Sequence, residues 1–130
     1  MVFCIYYQNA FAGLIGFKGT DYVHSKTEIG YWIRQQFQGK GIISKSCKVL
    51  VDYAFNEMKI NRIQLYIVEA NAKSAKVGER LGFKHEGTKR DGEKLVSGFT
   101  NVMVFSLLRR EYFINIYSRY FFKRDFILRV

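Results

Sequence analysis

The sequence predicts a single α/β domain built on a mixed sheet, with the element order β-β-β-α-β-α-β-β. Two segments show the helical spacing of apolar residues, and short runs rich in β-branched and aromatic residues lie before, between and after them. The length of 130 residues suits one domain, with 48% apolar and 25% charged residues. A packed globular core is therefore expected.

The predicted strands are apolar runs separated by polar or glycine-containing turns. A first hairpin joins residues 2–7 to 13–17 across a turn at 8–10, and residues 27–33 alternate as a third strand. Further strands are predicted at 62–69, 83–88 and 99–108. The Asp91-Gly92 pair in the loop 89–94 is typical of a hairpin turn, so the last two strands are expected to pair across it.

Two helices complete the pattern. From Ile43 onward, apolar side chains recur on one helical face, while polar side chains fill the other face. The apolar face consists of Ile43, Cys47, Leu50, Val51, Ala54, Phe55 and Met58. Asn71 suits the N-cap of a shorter helix from Ala72 to about Arg80, and Gly82 suits its C-terminal cap.

Composition restricts the partners and the compartment. The net charge of +10 favours an anionic partner such as nucleic acid, a ribosome, an acidic membrane or a polyphosphate cofactor, although a basic surface without a specific partner is the alternative. There is no run of 18 apolar residues and no secretory signal pattern, which predicts a cytoplasmic protein. Cys4 and Cys47 lack metal-ligand spacing, so both are expected to be reduced and buried, and no metal site is predicted.

The loop between the third strand and the first helix carries the main functional signal. Its pattern is Gln36-x-x-Gly39-x-Gly41, with Lys40 and Arg34 close by in the sequence. Glycines let the backbone approach an anion, and the helix N-terminus adds unpaired amides and about half a positive charge. The loop is neither a P-loop nor a dinucleotide fingerprint. Taken alone, a glycine pair of this kind also occurs in ordinary turns.

In context, the loop resembles motif A of the GNAT acetyltransferases, written Q/R-x-x-G-x-G/A. Other segments are similar to the RimJ/RimL branch, which acetylates the N-termini of ribosomal proteins: they are 28–33, 41–42, 52–55, 61–63, Asn71 with Ser74, 79–83, 86–87, 106–108 and 111–112. The resemblance covers residues 1 to about 112. It implies a GNAT-type sheet, mixed but mostly antiparallel, with flanking helices and with the strands of Trp32 and Leu65 splayed apart at a cofactor cleft.

The resemblance also implies acetyl-CoA as the acetyl donor. The pantetheine arm would enter between the splayed strands, the pyrophosphate would lie on the amides of the glycine loop, and the thiol end would meet the start of the second helix. The residues expected to bind the cofactor are Trp32, Ile33, Arg34, Gln36, Gly39, Lys40, Gly41, Ile42, Asn71 and Ser74. By themselves, Asn71 is also explained as a helix cap and Ser74 as an exposed first-turn serine.

In this family, a neutral amine attacks the thioester directly, without an acyl-enzyme. The reaction needs a base for an ammonium with a pKa of about 8 to 10, donors for the oxyanion and a proton source for the thiolate. Glu28 is the candidate base because its strand would line the acceptor cleft; the alternative is a solvated strand-end carboxylate. Ser74 is the second candidate catalytic residue.

The proton source departs from the family pattern. Many members carry a general-acid tyrosine four residues before the Gly-Phe pair, but this position is Gly78 here, which leaves Ser74 or a water. Cys47 is expected to pack in the core rather than act as a nucleophile. His24 and His85 are expected at the surface.

Relatives usually begin with a further strand and two helices, which help to wall the acceptor side of the cleft.

The expected activity is acetyl transfer to a primary amine, either a ribosomal-type protein N-terminus or a small amine. The alternatives are a non-catalytic acetyl-CoA binder or a truncated inactive member, and a nucleic-acid or ribosome-binding module. The last lacks RNP, KH and zinc signatures, so no specific nucleic acid and no membrane partner is predicted.

The C-terminal residues differ from the rest. The domain is expected to span 1–112, followed by an atypical basic and aromatic tail at 113–130. Packing is favoured for this tail because so many aromatic side chains are costly to expose, with an oligomer contact or poor order as alternatives. Exposed strand edges would invite a homodimer.

Overall fold

The computed structural model describes residues 1–114 and 126–129. These residues form seven strands, two longer helices and one short helix, which are β1 Val2–Tyr7, β2 Ala10–Asp21, β3 Lys26–Ile33, α1 Ile42–Asn56, β4 Arg62–Val68, α2 Ala72–Arg80, β5 Lys84–Leu95, β6 Gly98–Leu108, α3 Arg109–Ile114 and β7 Phe126–Arg129. The strands form one sheet in the order β5-β6-β4-β3-β2-β1-β7. The predicted order of the first eight long elements is confirmed.

The sheet is mixed and mostly antiparallel, as predicted. Between described strands, every pairing is antiparallel except that of β3 with β4. The sheet therefore has two antiparallel parts, one made of β7, β1, β2 and β3 and the other of β4, β6 and β5. The parallel pairing of β3 with β4 joins them, and α1 provides the crossover between these two strands.

The first hairpin turn is where the sequence predicts it. Gln8 and Asn9 adopt φ values of 50° and 65°, the left-handed pair of a two-residue turn whose twist matches that of the flanking strands. The second strand is longer than the predicted range 13–17: it begins at Ala10 and continues to Asp21.

The core lies between the sheet and the apolar face of α1. Phe55 and Ala54 are fully buried, and Cys47 is 1% exposed. The predicted helical face is confirmed, except that Met58 lies beyond the end of the helix and is half-buried. Cys4 is also half-buried, not fully buried as expected, because it lies on a strand near the edge of the sheet.

The prediction of a hairpin at Asp91-Gly92 is wrong. Both residues lie inside β5, and the chain turns later, between Leu95 and Gly98. The left-handed φ of 48° at Asp91 accommodates a register shift between Lys89 and Glu93, where the Asp91 amide donates to the Asn101 side chain on β6. The Asp91-Gly92 pair therefore forms an irregularity within the strand rather than a turn, and the Asn101 side chain of the partner strand accepts the hydrogen bond of the Asp91 amide.

The described part of the C-terminal region adds two elements. α3 runs through the predicted domain boundary at 112, and β7 pairs antiparallel with β1 from Phe126 opposite Tyr7 to Arg129 opposite Cys4. The rest of the predicted tail, residues 115–125 and Val130, lies outside the described residues. None of the helices described is long and apolar enough to cross a membrane.

Candidate functional site

A gap opens between the two central strands. β3 and β4 pair from Lys26 opposite Arg62 to Glu28 opposite Gln64, and no pair follows, although β3 continues to Ile33 and β4 to Val68. The predicted splay is confirmed, and Trp32 and Leu65 lie in the diverging halves. A parallel strand pair that opens in this way leaves strand backbone available to a ligand.

The backbone of β3 supplies hydrogen-bonding groups to this gap. The Arg34 amide donates to the carbonyl of Ala12 on β2, at 2.8 Å. Residues of an antiparallel strand alternate between facing this partner and facing away from it, so the backbone groups of Tyr31 and Ile33 face the gap. An extended ligand arm between the strands could pair with them as a strand would.

The glycine loop lies at the mouth of the gap, where β3 ends. A 3₁₀ turn at Gln35–Phe37 leads to Gly39 and Gly41, whose φ values are 77° and 72°. A Cβ atom at either glycine would meet nothing within 4 Å, so the left-handed backbone, rather than crowding, calls for glycine there. Gly41 is the N-cap residue of α1, and no side chain caps this helix end in the described structure. The first amides of the helix are therefore available to an anion.

Cationic side chains surround this loop. The Lys40 ammonium lies 5.9 Å from the centre of the Tyr7 ring, and the Lys73 ammonium donates to Gln38 Oε1 at 3.4 Å, linking α2 to the loop. Arg34 instead donates to the Phe11 carbonyl at 3.3 Å. Lys73 is not among the residues selected from the sequence. The feature that could have indicated it is a positive charge in the first turn of a helix, a position that the helix dipole disfavours.

α2 borders the gap, and its ends are fixed by its own sequence. The Asn71 side chain accepts a hydrogen bond from the Ser74 amide at 3.2 Å, which confirms the predicted cap. At the other end, Gly82 has a φ of 86°, and the Phe83 amide donates to the Gly78 carbonyl at 3.0 Å, a Schellman ending. These caps hold Ser74, which is partly buried, at the start of the helix.

The Tyr31 hydroxyl is close to Ser74 inside the fold. It is buried and makes no hydrogen bond of normal geometry with the described residues. Burial raises the pKa of Tyr31 to about 12, while the nearby Ser74 hydroxyl acts in the opposite direction. Sequence reasoning missed this residue; its signal is the alternation of β3, which places Tyr31 on the same face as the buried Thr27 and Ile29.

Glu28 and Trp32 lie on the other face of the sheet. Glu28 forms an ion pair with Lys18 at 3.6 Å, and the Lys18 side chain crosses Gly30, where a Cβ atom would come within 2.3 Å of Lys18 Cε. Trp32 is 55% exposed and its ring lies 6.4 Å from that of Phe11. The structure thus brings Ser74, Tyr31 and the glycine loop to the helical side of the gap and leaves Glu28 on the opposite side, near the point where the strands part.

The cysteine of α1 and the two histidines of the chain lie outside the gap, in the core or at the surface. Burial raises the pKa of the Cys47 thiol, which lies in the core as predicted. His85 is exposed and its ring stacks on Phe105 at 5.0 Å, and the His24 amide donates to the Asp21 carboxylate. Within residues 1–114 and 126–129, no group of three or more His, Cys, Asp or Glu side chains could hold a metal ion.

The family follows from comparison with known proteins. The family profile described as "Acetyltransferase (GNAT) domain" matches residues 1–84. This chain belongs to the GNAT acetyltransferase family. The match includes both glycines of the loop, the parted strands and the first helical turn of α2.

Curated GNAT relatives are longer than this chain. "Putative ribosomal N-acetyltransferase YdaF" of Bacillus subtilis is 42% identical over 106 residues, which cover 82% of this chain and 58% of that protein. The ribosomal-protein-serine acetyltransferase of Escherichia coli is 28% identical over 105 residues, covering 81% and 59%. The spermidine N(1)-acetyltransferase of Escherichia coli is 30% identical over 76 residues, which cover 58% of this chain and 41% of that protein. The chain thus spans between two fifths and three fifths of these relatives.

Solved structures give the same fold. A crystal structure of a probable acetyltransferase is 42% identical, with a TM-score of 0.77 over 79% of this chain and 58% of that one. Mutant forms of the spermidine/spermine N-acetyltransferase SpeG from Vibrio cholerae are 24% identical, with a TM-score of 0.82 over 91% of this chain and 70% of that one. The second likeness concerns the fold alone.

Gly78 lies where the GNAT resemblance leads one to expect a tyrosine. It is buried on α2, and a Cβ atom there would lie 3.4 Å from Leu65 Cδ1 and 3.6 Å from Phe105 Cδ1. The space in front of this helix face is thus already filled by apolar side chains of β4 and β6. A methyl group fits this space, whereas a phenol would have to displace one of these neighbours.

Replacing Gly78 by alanine should stabilise the protein. Its backbone is helical and the added methyl group makes ordinary contacts, so the change removes the entropic cost of a glycine inside a helix. The expected gain is about 0.5 to 1 kcal/mol in the free energy of unfolding, measured by urea denaturation. A loss of stability would show that Leu65 and Phe105 cannot accept the methyl group. Gly19, whose φ of 55° disfavours any residue with a Cβ atom, serves as the control position, where no such gain is expected.

Proposed function

We propose that this chain is an acetyl-CoA-dependent N-acetyltransferase that transfers acetyl to a primary amine by direct attack in a ternary complex. The observation that carries the proposal is the combination of the parted strands with an uncapped helix N-terminus and glycine loop at their mouth. Membership of the GNAT family supports the same activity. The chain spans little more than half of these two curated relatives, so its activity requires a direct assay.

The residues of the gap fit the cofactor chemically. Two left-handed glycines and the first amides of α1 suit a diphosphate, with Lys40 and Lys73 nearby to balance its charge. The backbone of Ile33 and its neighbours suits the amide-containing pantetheine arm. Asn71 and Ser74 stand where the arm would pass α2. The roles of Arg34, Gln36, Ile42 and the Trp32 side chain in binding stay predictions from the family resemblance.

Glu28 and Ser74 are proposed to serve the two proton movements. Glu28 lies where β3 and β4 separate, so its carboxylate could accept a proton from an amine entering from the open face of the sheet. Ser74 lies on the helical side, where its hydroxyl or a water would serve the leaving sulfur. The bound thioester would thus lie between a base on one face and a hydroxyl on the other.

The acceptor is proposed to be either a protein N-terminus or a small amine. The two Escherichia coli relatives are named for a ribosomal-protein serine and for spermidine, so both acceptor classes occur among proteins similar to this one. A cytoplasmic location would suit either acceptor.

A non-catalytic acetyl-CoA binder is the second candidate. One observation favours it: the Glu28 carboxylate is paired with Lys18, a cation that an incoming ammonium group would have to displace. In that case the cofactor would bind and no acetyl group would move.

The deciding experiment combines calorimetry with a thiol-release assay. Coenzyme A and acetyl-CoA are titrated into the chain, and thiol release from acetyl-CoA is followed with N-terminal seryl peptides, spermidine and small amines. Binding with release supports the transferase, and binding without release for every amine supports the non-catalytic binder. No binding of either ligand refutes both. An RNA titration at two salt concentrations tests the nucleic-acid-binding alternative, since an affinity that rests on phosphate contacts falls steeply with salt.

A further inference from the structure

The Tyr31 hydroxyl is the starting point because it is buried without a hydrogen bond of normal geometry in the described structure. A buried donor without a partner destabilises a fold, so such a group points to a ligand or a water that completes it. Tyr31 lies in the part of β3 that has separated from β4, so the missing partner would lie in the gap.

Its neighbours define which part of a ligand it meets. The Ser74 hydroxyl, at the start of α2, is close enough to affect Tyr31, and Cys47 of α1 lies on the same side of the sheet. The glycine loop is at the mouth of the gap, whereas Tyr31 reaches α2 from the strand behind this loop. A ligand whose phosphates occupy the loop would therefore bring its thiol arm, rather than its phosphates, to Tyr31.

We propose that the Tyr31 hydroxyl donates a hydrogen bond to the thioester sulfur of bound acetyl-CoA and stabilises the thiolate as it leaves, with Ser74 orienting the hydroxyl. This inference rests on the proposed acetyltransferase function. The family resemblance leads one to expect a tyrosine on α2 as the donor to the leaving sulfur, but Gly78 occupies that position. In the proposed step, this role falls to Tyr31 of β3 instead. Ser74 and Gly78 are four residues apart on α2, so Tyr31 approaches the same face of that helix.

The chemistry of the step fixes what Tyr31 does. The amine nitrogen bonds to the acetyl carbon, the carbon–sulfur bond breaks with its electron pair moving to sulfur, and the amine proton passes to Glu28. Burial keeps the pKa of Tyr31 at about 12, whereas an alkyl thiol has a pKa of about 8.5. Full proton transfer from Tyr31 to the thiolate would therefore be uphill. Tyr31 acts as a hydrogen-bond donor, and the thiolate takes its proton from solvent.

The test compares Tyr31→Phe with Tyr53→Phe, a matched change at a partly exposed tyrosine of α1. Three quantities are measured: the Tm without ligand, the affinity for coenzyme A relative to desulfo-coenzyme A, and the rate of thiol release. Tyr31→Phe should have a Tm equal to or a few degrees above that of the wild type, because it removes a buried hydroxyl that has no hydrogen bond of normal geometry in the described structure. It should lose a preference for coenzyme A of about 3- to 10-fold. Thiol release should fall about 10- to 100-fold, since sulfur is a weaker acceptor than an oxyanion.

Other results separate this inference from the proposed function. If Tyr31→Phe keeps both the wild-type rate and the preference for coenzyme A, the role of Tyr31 is overturned and the transferase stands. A Tm well below that of the wild type overturns it too, because the hydroxyl would then support the fold. Ser74→Ala provides a second check, with a smaller loss in the same direction expected. A wild-type chain that neither binds coenzyme A nor releases thiol overturns both proposals.

Discussion

Replacing Gly41 by valine should nearly abolish the binding of coenzyme A. The φ of 72° at Gly41 is unfavourable for any residue with a Cβ and most of all for a β-branched one. Relaxation to a negative φ would turn the amides at the start of α1 away from the loop, and the branched side chain would fill the open space there. We expect the Kd to rise at least about 100-fold, which corresponds to about 2.7 kcal/mol, as measured by calorimetry.

Gly19→Val is the matched control for this loss. Gly19 has a φ of 55° in β2, and a Cβ atom there would likewise meet nothing within 4 Å, so the backbone strain is similar but lies away from the loop. Both variants should lower the free energy of unfolding by similar amounts, about 1 to 2 kcal/mol. Only the Gly41 variant should lose affinity. Equal losses of affinity in both variants would mean that general destabilisation, not the phosphate site, explains the effect.

Glu28→Gln should remove most of the acetyl transfer without affecting cofactor binding. The amide keeps the shape of the side chain but cannot accept a proton from the amine, so kcat should fall by about 100-fold or more. The affinity for coenzyme A should stay within about threefold, because Glu28 lies on the sheet face opposite the loop and α2. Steady-state thiol release and calorimetry measure the two quantities.

Lys18→Gln distinguishes this catalytic role from the ion pair. Both substitutions break the contact between Lys18 and Glu28, but only one removes the carboxylate. If Glu28 is the base, Lys18→Gln should keep at least about a third of the activity, or raise it by freeing the carboxylate. Parallel losses in the two variants would show that the pair supports the strand and that another group takes the proton.

The sequence predicted best what is determined locally. Asn71 and Gly82 specify the ends of α2 within a few residues of chain, and both caps are found in the structure. The spacing of apolar residues likewise predicted the buried face of α1. The splay of β3 from β4 was different, because it came from the family resemblance and not from any pattern in the two strands.

The failures involve contacts between residues far apart in the sequence. Asp91 begins an ordinary turn signal, but Asn101 of the neighbouring strand accepts a hydrogen bond from its amide, and the left-handed residue forms a register shift inside β5 instead of a hairpin turn. The surroundings of Tyr31 depend on where α2 places Ser74, which no property of β3 reveals. The sides of the sheet on which Glu28 and Ser74 lie were equally beyond prediction, because they depend on register and on the crossover helix.

The short pairing of β3 with β4 has a consequence for motion. Three residue pairs join the two antiparallel parts of the sheet, and beyond these pairs the parts are held together by the core that they share rather than by strand pairing. A ligand bound in the gap would add contacts to both parts. Amide hydrogen exchange should therefore slow on both sides of the gap when coenzyme A binds, while exchange at the β5–β6 turn stays unchanged.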